Sequence, residues 1–255
     1  MTDDLVAARP TERFSDRAGG YARFRPSYPP AAIDCVLEDT GAPYTLTAAD
    51  VGAGTGILSR LLADRGLRVI AVEPNQAMRG AGEGHPRVTW HDGIAERTGL
   101  PGGAADLVTC AQSFHWFHAG QALAEFVRVL RPGGRVALVW NQRDRADSVT
   151  DAYSRILEDA AAAAGTRVPA ARMDPHALDG VAGLRQLAPR LFAHSQSLDA
   201  VGLVGRALSA SYAPKSGPEH DQVVAGLRAL HAGAADSSGR VRLAYTTLVL
   251  RATRR

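Results

Sequence analysis

A glycine-rich turn at residues 50–56, Asp-Val-Gly-Ala-Gly-Thr-Gly, constrains the fold of this chain more than any other segment. It lies between an apolar run at 45–51 and a segment at 57–66 in which apolar residues recur at helical spacing. Glycine is required where a backbone turns in the left-handed region or comes very close to a ligand. The pattern therefore predicts a strand, a tight turn and a helix, with backbone N–H groups facing a bound molecule.

Short apolar runs and amphipathic segments alternate along residues 45–140, which is typical of a parallel sheet covered by helices on both faces. Residues 131–134, Arg-Pro-Gly-Gly, are predicted to turn the chain into the fifth strand. The predicted strands are 45–51, 68–74, 87–92, 105–112 and 135–140, and the predicted helices are 57–66, 75–78 and 119–130.

The rest of the chain is less regular. We predict helices at 147–164, 199–210 and 220–231, and a loop or insertion at 165–190, where Gly, Pro, Arg and Asp are frequent. A long terminal strand at 240–252 is expected to pair antiparallel with a strand near 190–197 at the sheet edge. We therefore expect a single domain, 1–255, with a cap-like insertion at about 165–235.

Composition excludes several classes of protein. The chain has 255 residues, 45% hydrophobic and 22% charged, as expected for an ordinary soluble domain. Its net charge of +3 comes from arginines scattered among acids, which argues against a nucleic-acid partner. No apolar stretch approaches the roughly 20 residues that span a bilayer. Acids near the start argue against export, so we expect a cytoplasmic location. Cys35 and Cys110 lie in apolar runs, so we expect buried thiols rather than disulfides, and we expect no metal site.

The glycine spacing separates two classes of cofactor. Dinucleotide folds use G-x-G-x-x-G, which would need a glycine at Ile57, whereas this turn is G-x-G-x-G. Such a turn can lie under the amino-acid part of S-adenosylmethionine (SAM), with Asp50 available to its ammonium group. Glu73 follows Gly52 by 21 positions and ends the next predicted strand, where an acid accepts hydrogen bonds from ribose hydroxyls.

Three motifs together resemble class I SAM-dependent methyltransferases: DVGAGTGILSRLLA at 50–63, AVEPNQAM at 71–78 and LRPGGRVALVW at 130–140. The resemblance implies an α/β, doubly wound, seven-stranded and mostly parallel sheet of the Rossmann-like methyltransferase fold. An antiparallel C-terminal strand, an N-terminal helical lid and a helical cap would complete it. Residues 14–30 and 111–117 also resemble a subgroup of small-molecule methyltransferases that includes trans-aconitate methyltransferase-like enzymes. That resemblance implies a small-molecule acceptor and allows a homodimer.

The same resemblance assigns the cofactor site. Many family members have an acid in the loop after the third strand that meets the adenine amino group, but here Ile94 stands at that position. We expect adenine to rest on Ile94, with the backbone N–H of Ala95 donating to a ring nitrogen, and Asp92 as an alternative contact. The full predicted cofactor set is Asp50, Gly52, Ala53, Gly54, Gly56, Glu73, Pro74, Met78, Ile94, Ala95, Gln112, Tyr21 and Arg25.

Residues at the ends of strands four and five are expected near the transferred methyl group, because ligands bind beyond the carboxyl ends of parallel strands. Gln112 and His115 are the predicted catalytic residues, His115 as a general base. A purely structural role is the alternative for His115. The predicted substrate-binding residues are Tyr28, Trp116, Asn141 and Arg143.

Three other functions remain open at this level. A nucleotide-dependent oxidoreductase could use a similar sheet, although the glycine spacing argues against it. A non-catalytic scaffold could retain the fold, although Asp50, the glycines and Glu73 are all present. Methylation of RNA or protein would use the same chemistry, but the sequence shows neither a basic tract nor an Asn-Pro-Pro motif after strand four.

Overall fold

The computed structural model describes residues 18–166 and 174–255, except for the side chains of Ala18 and Tyr21. Within these residues, seven strands form one sheet in the order β3-β2-β1-β4-β5-β7-β6. The strands are β1 Thr47–Val51, β2 Arg68–Val72, β3 Val88–His91, β4 Ala105–Ala111, β5 Leu130–Arg143, β6 Leu184–Leu198 and β7 Val241–Arg254. The first five run parallel, and β7 is antiparallel to both β5 and β6. The predicted fold class is confirmed.

Helices cover both faces of this sheet. Their bounds are α1 Ala18–Phe24, α2 Pro30–Leu37, α3 Ile57–Asp64, α4 Gln76–Ala81, α5 Ala119–Val129, α6 Ser148–Ala163, α7 Ala200–Leu208 and α8 Pro218–Ala234. Consecutive residues of β5 point to opposite faces, so that Leu138 joins the core under α5 while Val139 joins the core under α2 and α3. This two-sided burial explains why the central strands are almost continuously apolar.

The antiparallel end of the sheet differs in part from the prediction. The terminal strand does pair with the segment near 190–197, with His194 opposite Tyr245. In the sheet, β7 lies between β5 and β6, and β6 forms the edge. The strand also begins at Leu184, so the prediction of a loop over 184–190 was wrong.

The start of β5 also differs from the prediction. Helix α5 ends at Val129, and the strand begins at Leu130 rather than after a turn at 131–134. Leu130 pairs with Ala105 and Arg135 pairs with Leu107, so the four residues between them bulge out of the ladder. Gly133 supports the bulge because its φ of 78° lies in the left-handed region.

The helical cap is smaller and more divided than predicted. Residues 165–235 are not one helical insertion, because β6 belongs to the sheet; residues 167–173 lie outside the described part of the chain. Helices α6, α7 and α8 instead share a third apolar cluster with the start of β7, in which Tyr153, Leu203 and Leu227 are fully buried. Helix α1 contacts α7 and α4, and Phe24 packs on Gly205 of α7. The N-terminal helix therefore lies between the cap and the sheet domain.

Both cysteines are buried free thiols, as predicted. Burial raises the pKa of Cys110 to about 12, so this thiol stays protonated at neutral pH. Among the helices in 18–166 and 174–255, none has the length and apolar character needed to cross a bilayer.

Candidate functional site

A cavity opens at the carboxyl ends of β1, β2 and β4, where the strand order reverses direction between β1 and β4. It encloses about 1010 Å³, including the part open to solvent. Its wall is formed by Tyr28, Asp50, Gly52, Ala53, Gly54, Thr55, Ile57, Leu58, Glu73, Pro74, Asn75, Met78, Gly93, Ile94, Ala95, Glu96, Ala111, Gln112, Ser113, Trp116 and Phe117.

The glycine turn forms one wall of the cavity. Gly52, Gly54 and Gly56 have φ values of 66°, 60° and 75°, a region that residues with side chains rarely adopt. The N–H groups of Gly52 and Ala53 both donate to the carbonyl of Val72, which fastens the turn to β2. A methyl group on Gly52 would lie only 2.6 Å from the nearest side-chain atom. Close packing and backbone conformation thus both require glycine here.

Glu73 lies at the end of β2 and connects the turn to the loop that follows this strand. Its Oε2 accepts from the Gly54 N–H at 2.9 Å, and its Oε1 accepts from the Asn75 N–H at 3.0 Å. The residue is 8% exposed, and burial raises the pKa of its carboxyl although these two bonds lower it. A carboxylate has about four lone-pair positions, so two remain for a ligand in the cavity.

Asp50 is held in place by two hydroxyl groups. Its Oδ2 accepts from Ser59 of α3 at 2.6 Å, and its Oδ1 accepts from Thr109 of β4 at 2.8 Å. The side chain is 1% exposed, and burial raises its pKa to about 6 against the lowering effect of both hydroxyls. Asp50 therefore connects β1, α3 and β4 directly beneath the turn, and it also lines the cavity.

The opposite part of the wall is apolar. Ile94 is a large apolar residue left 40% exposed, next to the half-buried Pro74 and the buried Ala95 and Met78. Asp92 lies outside the cavity lining, and its exposed carboxylate is 3.4 Å from Arg79. The alternative adenine contact through Asp92 is therefore not supported by its position.

Gln112 directly follows β4 in a strained backbone conformation, with φ at 58°. Its backbone N–H donates to the carbonyl of Val139, and its side-chain Nε2 donates to the carbonyl of Asn141 at 2.8 Å. These bonds hold a conformation that costs a residue with a side chain roughly 1–2 kcal/mol. Strain of this kind at a cavity wall is common at functional sites.

His115 and Trp116 form a short 3₁₀ turn after β4 and face different surroundings. Trp116 lines the cavity, whereas His115 is not among the residues that line it. The two rings lie beside each other, with centroids 4.9 Å apart. His115 therefore has no place in the cavity wall, and its role as a general base stays a prediction.

The remaining predicted acceptor residues are used within the protein. Asn141 donates to the carbonyl of Ser27 at 3.0 Å, and its Oδ1 accepts from Thr247 at 2.6 Å. Arg143 lies beyond it on β5 and donates to the Tyr212 hydroxyl at 3.2 Å. Neither Asn141 nor Arg143 lines the cavity, but Tyr28 does.

Of the N-terminal cofactor residues, Arg25 lies outside the cavity lining and donates to the carbonyl of Ser209 at 3.4 Å. The side chain of Tyr21 lies outside the described part of the structure.

Sequence reasoning missed several residues of the site. Ser113 and Phe117 line the cavity, and Asn75 both lines it and caps α4 by accepting from the N–H of Met78. The hydroxyls that hold Asp50 were also missed, although Ser59 interrupts the apolar face of a predicted helix and Thr109 interrupts an apolar strand. A lone polar residue in an apolar element is a usable signal, because a buried carboxylate must find hydrogen-bond donors.

The glycine turn and all of the cavity wall except Tyr28 fall within a region that matches known methyltransferases. Residues 49–138 match the family model of the methyltransferase domain. An uncharacterized methyltransferase of Mycobacterium tuberculosis (strain ATCC 25618 / H37Rv) is 45% identical over 132 residues, which cover 51% of this chain and 53% of that protein. An uncharacterized methyltransferase of Schizosaccharomyces pombe is 35% identical over 147 residues, covering 57% and 59%. The match thus spans only about half the length of these curated relatives.

Similarity to solved structures covers more of the chain. A putative type II methyltransferase from Anaeromyxobacter dehalogenans aligns with 91% of this chain and 98% of its own, at 27% identity and a TM-score of 0.66. Residues 49–138 therefore match a methyltransferase domain, and the described residues share the fold of this solved methyltransferase. None of these similarities supports the oxidoreductase alternative.

Proposed function

We propose that the protein built on this methyltransferase domain transfers a methyl group from SAM to a small-molecule acceptor. The observation that carries the proposal is the cavity itself, in which the glycine turn faces the buried carboxylate of Glu73 at the switch point of the sheet. The finer resemblance of 14–30 and 111–117 to trans-aconitate methyltransferase-like enzymes is consistent with a small acceptor. Residues 14–17 lie outside the described structure.

The residues around the cavity fit SAM. Glu73 would bind the ribose hydroxyls through its two remaining lone-pair positions, because its other two are used by the N–H groups of Gly54 and Asn75. Asp50 would attract the ammonium group from beneath the turn. The exposed apolar surface of Ile94 can pack against the face of the adenine ring, and this contact needs no carboxylate.

When bound, SAM would supply a methyl group on a positively charged sulfonium. An acceptor lone pair would attack this methyl group in line with the sulfur, and S-adenosylhomocysteine would leave as a neutral thioether. The protein's own residues orient the two reactants and exclude water from the cavity. Tyr28, Trp116 and Phe117 bring aromatic surface to the cavity wall next to Gln112. Holding the two reactants in line is worth up to about 7–11 kcal/mol in favourable intramolecular reactions, so positioning by these groups can supply most of the acceleration.

A small-molecule acceptor is favoured by the position of the segment that joins α1 to α2, whose Tyr28 lines the cavity. The segment after α1 crosses this end of the sheet, where the Phe24 carbonyl accepts from Gln196 and the Ser27 carbonyl accepts from Asn141. Helix α7 packs on the same segment through Gly205. A chain segment at the edge of the cavity suits a small acceptor better than a nucleic-acid strand or a folded protein, because either of those would need an open groove.

The experiment is a transfer assay with methyl-labelled SAM and a panel of small acids, phenols and amines. We expect label in at least one acceptor and stoichiometric release of S-adenosylhomocysteine. Glu73→Ala should abolish both, whereas Glu83→Ala should leave both unchanged, because the Glu83 side chain is 80% exposed and lies outside the cavity. Failure of the wild-type protein to bind S-adenosylhomocysteine would reject the proposal and restore the scaffold alternative, and binding of NADH would restore the oxidoreductase.

A further inference from the structure

The loop between β3 and β4, residues 92–104, supplies a large part of the cavity wall but has little regular structure of its own. Four of its residues line the cavity: Gly93, Ile94, Ala95 and Glu96. An isolated bridge joins Ile94 to Arg97, whose N–H donates to the Ile94 carbonyl at 3.1 Å. A loop with so few internal bonds keeps one conformation only if contacts from outside hold it.

Thr98 packs against the start of this wall segment. The residue is fully buried. A methyl group built on Gly93 would lie 2.5 Å from the Thr98 carbonyl oxygen, so the two stretches of backbone are already in direct contact. Atoms packed this closely cannot shift independently of each other. The position of Thr98 therefore fixes the path of the chain from Gly93 into Ile94 and Ala95.

Glu125 of α5 holds Thr98 by two donors. Its Oε1 accepts from the Thr98 N–H at 2.8 Å and from the Thr98 hydroxyl at 2.6 Å. The same hydroxyl accepts from the Leu100 N–H at 3.2 Å. Because the Glu125 side chain is only 8% exposed, water competes little for these bonds.

Arg128 of α5 completes the network around this carboxylate. Its Nε donates to Glu125 Oε2 at 2.6 Å, and its Nη2 donates to Glu125 Oε1 and to the Leu100 carbonyl, each at 2.7 Å. The guanidinium, together with the Thr98 donors, lowers the pKa of Glu125 to about 2, so the carboxylate stays charged at neutral pH. An ion pair three residues apart on a helix needs no third partner, yet both members of this pair turn toward the loop.

A second contact ties the loop to the start of α5. Glu96 Oε1 accepts at 2.7 Å from the N–H of His118, the residue before the helix. Since Glu96 lines the cavity, this bond joins its stretch of the wall to the stretch that ends at Phe117. Helix α5 therefore holds the loop at two points that directly follow Ile94 and Ala95.

We propose that Glu125 is a positioning residue for the cofactor, which acts through Thr98 to hold Ile94 and the Ala95 N–H where they select adenine over other purines. This inference rests on the proposed binding of SAM in the cavity. An acid in place of Ile94 could change its rotamer to meet the base, whereas a backbone N–H is aimed only by the path of the chain. Recognition by the Ala95 N–H therefore requires a fixed loop, and Glu125 supplies the contact that fixes it.

Hypoxanthine is the base that tests this selection. Adenine offers an acceptor at N1 to the Ala95 N–H, whereas hypoxanthine carries a hydrogen at N1, so that two donors would face each other. A site built around a hydrogen bond rejects ligands that cannot make it. The wild-type protein should thus bind S-adenosylhomocysteine at least about tenfold more tightly than S-inosylhomocysteine.

The main test measures both affinities by calorimetry in the wild type and in Glu125→Gln, in which the charge that holds Arg128 and Thr98 is lost. The affinity for S-adenosylhomocysteine should fall about tenfold or more. The affinity for S-inosylhomocysteine should fall less than about threefold, because this ligand lacks the contact that depends on the loop. The ratio of the two affinities therefore shrinks. Reduced stability alone would leave that ratio at its wild-type value, because calorimetry reports binding to the folded protein.

Thr98→Val and Thr98→Ser keep the test decisive if circular dichroism shows that Glu125→Gln does not fold. Valine has the shape of threonine but no hydroxyl to donate to Glu125, so the ratio should shrink, whereas serine retains the hydroxyl and should retain the ratio. The control is Glu158→Gln, because Glu158 also pairs with an arginine, Arg145 at 2.5 Å, but lies outside the cavity lining. It should leave both affinities unchanged.

Two results would overturn the inference. One is a wild-type ratio near one; the other is an unchanged ratio in Glu125→Gln, or in Thr98→Val where Glu125→Gln does not fold. In either case, binding of S-adenosylhomocysteine to the wild type would still support the proposed function. If the wild type binds neither ligand, the proposed function itself is rejected and the inference falls with it. One set of titrations therefore distinguishes the two failures.

Discussion

Replacing Asp50 by Asn should change how stability depends on pH. The carboxyl is 1% exposed, and burial raises its pKa from 3.8 to about 6 in the folded protein. Because the folded pKa is the higher one, the stabilisation from this group is fully present below pH 3.8 and is lost as the pH rises through about 6. At 1.36 kcal/mol per unit, the complete loss amounts to about 3 kcal/mol.

The amide in the Asp50→Asn variant cannot titrate, so the variant lacks this loss. The free energy of unfolding of Asp50→Asn minus that of the wild type should therefore increase by about 2–3 kcal/mol between pH 4 and pH 7. In a domain of this size the difference corresponds to about 4–12 °C in melting temperature. The other titrating groups are common to both proteins and cancel in the subtraction.

The assay is thermal and urea unfolding followed by circular dichroism at half-unit steps from pH 4 to pH 7.5. Ser59→Ala gives an independent check, because the Ser59 hydroxyl lowers the pKa of Asp50 and its removal should move the pH-dependent loss to higher pH. If the difference in the free energy of unfolding between Asp50→Asn and the wild type stays constant over this pH range, burial does not raise the pKa of Asp50.

Three further substitutions test separate parts of the site. Gly52→Ala should lower stability by at least about 1 kcal/mol and abolish S-adenosylhomocysteine binding, because the added methyl group meets a side chain at 2.6 Å and the backbone is left-handed; calorimetry and thermal melts measure both effects. His115→Ala should reduce kcat less than about tenfold, since its ring does not line the cavity, whereas a loss of about 10²–10⁴ would show that it acts as a base. Asn141→Ala should destabilise the protein by about 1–3 kcal/mol in urea unfolding, because the Thr247 hydroxyl loses its acceptor; no change would mean that water replaces it.

The sequence predicted most of the parallel half of the sheet because the relevant signals are local. The glycines at 52, 54 and 56 do adopt left-handed conformations, and the helix after them begins at Ile57 as its apolar spacing indicates. Strand ends marked by turn residues also place Glu73 at the tip of β2 beside the glycine turn. Local conformation and short-range spacing were sufficient for these features.

Features that depend on distant residues were predicted less well. The position of β7 between β5 and β6 follows from pairing across more than 100 residues, which periodicity cannot reveal. Asn141 was expected to face the acceptor, but its side chain is used by Ser27 and Thr247, which come from opposite ends of the chain. Trp116 lines the cavity and His115 does not, because of the way the 3₁₀ turn that carries both residues is oriented. The spacing of residues in the sequence does not determine that orientation.

A crystal structure of the protein with S-adenosylhomocysteine tests most directly whether Glu73 and the glycine turn bind SAM. We expect the nucleoside in the cavity, with both ribose hydroxyls within about 3.2 Å of the Glu73 carboxylate and the amino-acid part over the glycine turn. An empty cavity at saturating ligand, or a nucleoside bound elsewhere with Glu73 still engaged only by backbone N–H groups, would contradict it.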